Sequence, residues 1–305
     1  MEKGKLITYL TLILLAAIWG SSFILMKYGL FAYSSTQVAA LRILVACLFL
    51  LPLAIPKINK VTKKQFWLIS LSGLLGSFIP AFLFTKAQTV LDSSTVGVLN
   101  STVPIFALVI GILFFKDVFN LRRLAGVFLG MAGAILLILL KPGGSYDPNY
   151  TYGLYVIIAT LCYGLNINFI KYYLAEVPSL AISSISFLMV GIASGVFIFG
   201  FTDFATIMVQ DDESVRALIY TIILGAVGTA FAIVIFNKLI KTTHPVFASS
   251  VTYLIPIVAL FWGVIDGEPL GFVQVIGMAL ILLGVYLTNR KKKIKENRQN
   301  LSETI

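Results

Sequence analysis

The sequence predicts an all-α integral membrane protein of ten transmembrane helices, built as an inverted five-plus-five repeat with both termini cytoplasmic. Three observations lead there: an apolar content too high for a water-soluble core, ten segments of membrane-spanning length, and short motifs that recur between the halves of the chain. Of 305 residues, 59% are hydrophobic and only 12% are charged, against about 45–50% and 25% in soluble domains. A water-soluble fold of this size cannot hide so much apolar side chain, so lipid is the expected solvent for most of it.

A hydrocarbon core about 30 Å thick takes roughly 20 helical residues. Unbroken runs of that length indicate helices rather than a barrel, because backbone groups in lipid must be satisfied internally. The first run, Leu6–Met26, follows lysines but is long and has no small-x-small cleavage site, so it reads as a retained span. The second, Gln37–Ile55, holds Arg42, the one charge well inside a predicted span. The third, Phe66–Thr85, carries Phe78, Pro80 and Phe82, and the fourth, Ser94–Phe115, contains Pro104. The fifth is Leu121–Leu140 and the sixth Tyr152–Tyr172. Cys47 and Cys162, in the second and sixth spans, have no CxxC spacing or nearby His and read as small packing residues, with no metal site implied. The seventh is Leu180–Gly200. The eighth, Ala217–Phe236, has a small polar cluster of Gly225, Gly228 and Thr229. The ninth is Val246–Ile265 with Pro256, and the tenth is Phe272–Thr288.

Charge placement supports this count. With ten spans, eighteen basic residues fall on the side of the termini, including Lys57, Lys60, Lys63, Lys64 and six in the tail Arg290–Arg298. Only Lys27, Lys86, Lys141 and Arg216 fall opposite, and one missed helix would scramble that alternation. The long loop Asp203–Ser214 is acidic, as suits an external face. The net charge of +10 therefore serves topology and headgroup contact, and no nucleic-acid partner is expected.

The halves resemble each other. "AAIWGSSFILMK" (Ala16–Lys27) lines up with "TLCYGLNINFIK" (Thr160–Lys171), placing Trp19 on Tyr163, Gly20 on Gly164, Ser22 on Asn166 and Lys27 on Lys171. "STVPIFALVIG" (Ser101–Gly111) matches "YLIPIVALFWG" (Tyr253–Gly263), with Pro104 on Pro256 and Asp117 on Glu268 beyond. Gly126 and Gly133 correspond to Gly277 and Gly284. The repeats are taken as 6–140 and 152–289, followed by a basic cytoplasmic tail, 290–305. Five spans being odd, the second half enters the membrane inverted, a signature of alternating access around a midplane site.

These motifs, with the second-span "ALRIL" (Ala40–Leu44), resemble the EamA type of the drug/metabolite transporter superfamily from Leu6 to about Asn289. The resemblance implies a ten-helix carrier in the cytoplasmic (inner) membrane that exports or facilitates passage of small metabolites, amino-acid-like solutes first. Sugars, nucleotides and organic phosphates are the alternative cargo, and a non-transporting scaffold the alternative class. The same resemblance places the cavity among spans one, three, four, six, eight and nine.

Candidate site residues follow from local chemistry. A proline within a helix deprives the carbonyl four residues earlier of its donor. Pro104 and Pro256 would free those of Asn100 and Thr252, pointing to interrupted helices at a binding site. Trp19 and Tyr163 would meet the apolar part of a solute, and Ser22, Asn100, Asn166, Thr229, Thr252 and Tyr253 its polar groups. Gly20 and Gly164 would let neighbouring helices approach closely. Arg42, costing about 2–3 kcal/mol at its depth, would hold a substrate anion, serve in gating, or snorkel outward and pin its helix. No predicted span has an internal Asp or Glu to exchange a proton, although His244 begins span nine. With one His and no acidic cluster at depth, neither enzyme chemistry nor a cofactor is expected, and the partners are a small-molecule substrate and the bilayer. A monomer is compatible with this reading.

Overall fold

A computed structural model of the chain describes residues 2–115, 121–242 and 251–289. Asp117, His244 and the tail 290–305 lie outside the described residues, as does the side chain of Tyr253. The described residues are helical almost throughout, in ten main segments: α1 (Glu2–Gly29), α2 (Ser35–Ile58), α3 (Lys63–Ala87), α4 (Ser93–Phe115), α5 (Leu121–Leu139), α6 (Gly153–Tyr173), α7 (Ser179–Gly200), α8 (Asp212–Leu239), α9 (Val251–Ile265) and α10 (Phe272–Asn289). The first eight are long and apolar enough to cross a membrane. The apolar stretches of the last two, Leu254–Ile265 and Phe272–Leu287, are shorter, and the predicted start of span nine at Val246 lies outside the described residues.

Helix starts are written locally. Ser34 and Gln37 form a reciprocal capping box on α2, and Thr62 and Gln65 another on α3, each satisfying orphan N–H groups of the first turn. Asp211 accepts from the Ser214 N–H and starts α8 earlier than hydrophobicity predicts. Large apolar side chains remain exposed, among them Leu48, Phe49, Leu113, Phe114, Phe199 and Phe261, as expected where the outer surface faces hydrocarbon.

Three helices change their winding midway. Leu74–Phe78 in α3 and Ala226–Phe231 in α8 are π-helical, and Asn100–Thr102 in α4 is a 3-10 turn. π-bulges inside longer helices recur at functional sites. The core forms where α2 packs on α7, α5 on α10, α1 on α8 and α9, and α6 on α3 and α4. First-half and second-half helices therefore interdigitate. Between α5 and α10 the approach is set by glycine. A Cβ on Gly133 would sit 2.7 Å from Gly277 O, and one on Gly284 2.6 Å from Gly126 O, the same contact seen from each half.

Candidate functional site

The first-helix motif Trp-Gly-Ser-Ser is spent on contacts to the second half. The Trp19 ring meets Phe236 of α8 edge-on at 4.8 Å. Gly20 lies against α9, where a Cβ would come within 2.5 Å of Val258 Cβ. Ser21 accepts from the Trp262 indole N–H at 2.8 Å. Ser22 donates to Ile18 O at 2.9 Å and lies over Gly228 of the α8 π-helix, where a Cβ would meet its Oγ at 2.6 Å.

The sixth helix repeats the arrangement toward the first half. Tyr163 stacks on Phe84 of α3, with ring centroids 5.8 Å apart. Gly164 lies against α4, where a Cβ would fall 2.8 Å from Ala107 N and 3.0 Å from Phe106 Cβ. Asn166 accepts from Ser72 Oγ at 2.7 Å, and its amide nitrogen covers Gly76 of the α3 π-helix. Each half thus presents the same constellation: an aromatic pair, a glycine against the proline-bearing helix, and a small polar side chain over a glycine in a π-helix.

That reciprocity rests on two short stretches that sequence reasoning did not pair, "GLLGS" (Gly73–Ser77) and "GAVGT" (Gly225–Thr229). Each opens a π-helix, and their shared Gly-x-x-Gly-hydroxyl spacing is the signal that would have found them. In the π-turn Thr229 Oγ1 donates to Leu224 O at 3.0 Å, five residues back, and accepts from Arg42 Nε at 2.7 Å. Arg42 thus reaches from α2 to α8, and its charge also acts on Tyr163 of α6. Arg42 and Thr229 are brought together. Asn166 lies one turn beyond Tyr163 on the same helix face.

Asn100 and Thr252 are both buried. The carbonyls that Pro104 and Pro256 deprive of their usual donors have found others. Val103 N–H donates to Asn100 O through the 3-10 turn, and Ser101 Oγ donates to Thr252 O at 3.3 Å. Pro104 therefore stands in the first turn of a fresh helical segment, whereas Pro256 lies within the continuous α9. The Asn100 side-chain amide has no hydrogen-bond partner among the described residues.

At one end of the bundle an ion-pair cluster joins both halves. Lys27 Nζ, from the last turn of α1, lies 2.5 Å from Asp266 Oδ2 and 2.9 Å from Glu268 Oε1. Glu268 also accepts from Ser93 N–H, Ser93 Oγ and Ser94 N–H, which caps the start of α4. Tyr28 donates to Asp266 Oδ1 at 2.6 Å. The Glu268 side chain is 1% exposed. Burial pushes its carboxyl up, but hydrogen bonds from Lys27, Ser94 and Ser93 outweigh that and hold it below the usual carboxylate range. Nearby Asp92 makes no side-chain hydrogen bond to its helix start, and burial, then the charge of Glu268, push its carboxyl up. Below the cluster, Gly97 packs directly on Ala259 and Gly263 on Ser94, so α4 and α9 are closed together at this end. Sequence reasoning noted Lys27 and Glu268 separately, as a topology signal and a motif residue, and missed that they meet.

A polar seam among membrane-length helices, repeated in both halves, defines a membrane-embedded protein built from two similar units. The EamA-like transporter family matches the chain twice, over residues 6–139 and 151–290. The chain belongs to the EamA-like transporter family and is a multi-pass membrane protein. It is 22% identical to an uncharacterized transporter of Archaeoglobus fulgidus, over 93% of this chain and 99% of that one. It is 25% identical to the uncharacterized inner membrane transporter YedA of Escherichia coli K12, over 90% and 88% of the two chains. With the uncharacterized transporter YoaV of Bacillus subtilis it shares 24% identity over 91% and 95%. A crystal structure at 17% sequence identity has the same fold, with a TM-score of 0.62 over 91% of this chain and 94% of the other.

Proposed function

We propose that the chain is a secondary transporter of the cytoplasmic (inner) membrane that moves small metabolites, amino-acid-like solutes first, by alternating access. The halves 6–140 and 152–289 act as inverted five-helix repeats with both termini inside, and the Lys27 end faces outward. The observation that carries this reading is the reciprocal packing of α1 on α8 and α9 and of α6 on α3 and α4. Two similar units, each built from both halves, can exchange their relative tilt while the seam between them stays at the midplane. Glycine contacts at Gly20, Gly164, Gly76 and Gly228 leave no side chain to interlock and so permit sliding. In this reading the close contact of α4 with α9 at the Lys27 end corresponds to an inward-facing state of the cycle.

In this reading Trp19 and Tyr163 face the apolar part of the solute, and Ser22, Asn100, Asn166, Thr229, Thr252 and Tyr253 its polar part. The amide nitrogens of Asn100 and Asn166 donate no hydrogen bond among the described residues and are the donors left for a solute. The test is counterflow in proteoliposomes, with labelled amino acids outside and the same unlabelled pool inside. Accumulation above protein-free vesicles, weakened several-fold in apparent affinity by Asn100→Ala, is the expected result. No accumulation by folded, inserted protein would overturn the amino-acid assignment and bring sugars, nucleotides and organic phosphates forward.

A further inference from the structure

Arg42 is a cation within a membrane-length helix and has no counter-charge among the described residues. Among the described residues its guanidinium makes one hydrogen bond, from Nε to Thr229 Oγ1 at 2.7 Å, and no carboxylate lies within ion-pair distance. Cations inside membranes ordinarily pair with acids or carbonyls, because an uncompensated charge there is costly. Its two terminal nitrogens have no partner among the described residues, and the residue is only partly buried.

The side chain lies among the helices of the bundle, and its neighbours Leu41, Ile43, Val45 and Ala46 are buried. The backbone of Arg42 is pressed against α8, where a Cβ on Gly225 would fall 2.8 Å from Arg42 O. Thr229 anchors the side chain toward α8, and Tyr163 on α6 lies within reach of its charge. A snorkelling arginine would instead extend along its own helix toward the headgroups.

The mirrored position in the other half is neutral. There Ser186 of α7 lies against Gly73 of α3, where a Cβ would fall 2.9 Å from Ser186 O, as Arg42 lies against Gly225. The polar atoms on that side are the Ser72 hydroxyl and the Asn166 amide. The seam is thus polarised, with a fixed positive charge on the α2–α8 side and uncharged hydrogen-bonding groups on the α3–α6 side.

We infer that Arg42, positioned by Thr229, is an anion subsite that takes the carboxylate of the transported solute, with the solute's uncharged end directed toward Asn166. This rests on the reading of the seam as the transport pathway. The free edge of a guanidinium, its two terminal nitrogens, matches the two oxygens of a carboxylate. A lone guanidinium, with no second cation in the described span interiors, suits a singly charged carboxylate rather than a dianionic phosphate.

The test uses the purified full-length chain and matched probes that differ only in charge: 4-methylpentanoate against 4-methylpentanamide, and L-leucine against L-leucinamide. The carboxylates are expected to raise the thermal midpoint in a saturable way and the amides are not. Arg42→Gln should abolish the effect, and Thr229→Val and Arg42→Lys should each weaken carboxylate binding by about tenfold, the scale of one charge-assisted hydrogen bond. If Arg42→Gln does not fold, the Thr229→Val and Arg42→Lys arms decide. Equal stabilisation by amides, binding unchanged in these variants, or no response to any carboxylate would overturn the subsite. Counterflow separates the two readings: flux of an uncharged solute, equal in wild type and Arg42→Lys, overturns the subsite but leaves a transporter, whereas no flux of any pool removes the transporter reading itself.

Discussion

Lys27 Nζ lies 2.9 Å from Glu268 Oε1, so the last turn of the first helix is tied to the loop between α9 and α10 by a pair whose acid is almost wholly buried. Removing one partner of such a pair strands the other without compensation, at about 3–5 kcal/mol for full burial. Lys27 is 26% exposed, which discounts that range, and Lys27→Met is expected to cost about 2–3 kcal/mol. Adding Glu268→Gln should recover part of the loss, because a neutral amide needs no counter-ion. Thermal unfolding of the two variants checks both statements, and a double variant less stable than Lys27→Met alone would contradict them.

The same cluster sets a pH dependence with two opposite arms. Glu268 has its folded carboxyl below the ordinary 4.5, so its contribution is present above 4.5 and lost as pH falls through the depressed value. Asp92 is raised above 3.8, so its charge opposes folding at neutral pH and the penalty is relieved as pH falls through its raised value. Unfolding midpoints measured from pH 7 to pH 3 should therefore rise slightly before they fall. Asp92→Asn should remove the rise and Glu268→Gln should blunt the fall.

The aromatic pairs Trp19–Phe236 and Tyr163–Phe84 occupy matching places in the halves. Each is expected to show a coupling of about 0.5–1.5 kcal/mol in a double-mutant cycle to leucine. Coupling in one pair and none in the other would mean that the resemblance stops at geometry.

Between α5 and α10 there is no room for a side chain. Gly284→Ala would drive a methyl group to within 2.5 Å of Gly130 N, and overpacking of this kind costs about 1–3 kcal/mol. Gly143→Ala, where a Cβ meets nothing within 4 Å, should stay within about 0.5 kcal/mol of wild type. Melting the two variants side by side gives the comparison, and equal losses would contradict it.

Much of the architecture was readable along the chain because it depends on one-dimensional quantities. Apolar run length predicted helices where the structure has them, and capping residues such as Ser34 and Thr62 set starts that hydropathy placed a few residues late. The motif alignment placed Trp19 with Tyr163 and Ser22 with Asn166, and in the structure each pair has equivalent neighbours. The π-helices were not readable in that way, since propensity hardly separates α from π winding and their glycines look like ordinary packing residues. The new partners of the Asn100 and Thr252 carbonyls were hidden too, because relief came from a local 3-10 turn in one case and from a neighbouring helix in the other.

By itself the sequence determined the solvent, the helices and the likeness of the halves, since composition, run length and motif order need no knowledge of which residues meet. Tertiary structure alone decided that Lys27 would meet Glu268, that Arg42 would be held by Thr229, and that Ser22 would lie over Gly228. Each of those pairs joins residues far apart in the chain. Their meeting depends on helix rotation and approach distance, which close packing of many side chains sets together and no local pattern encodes.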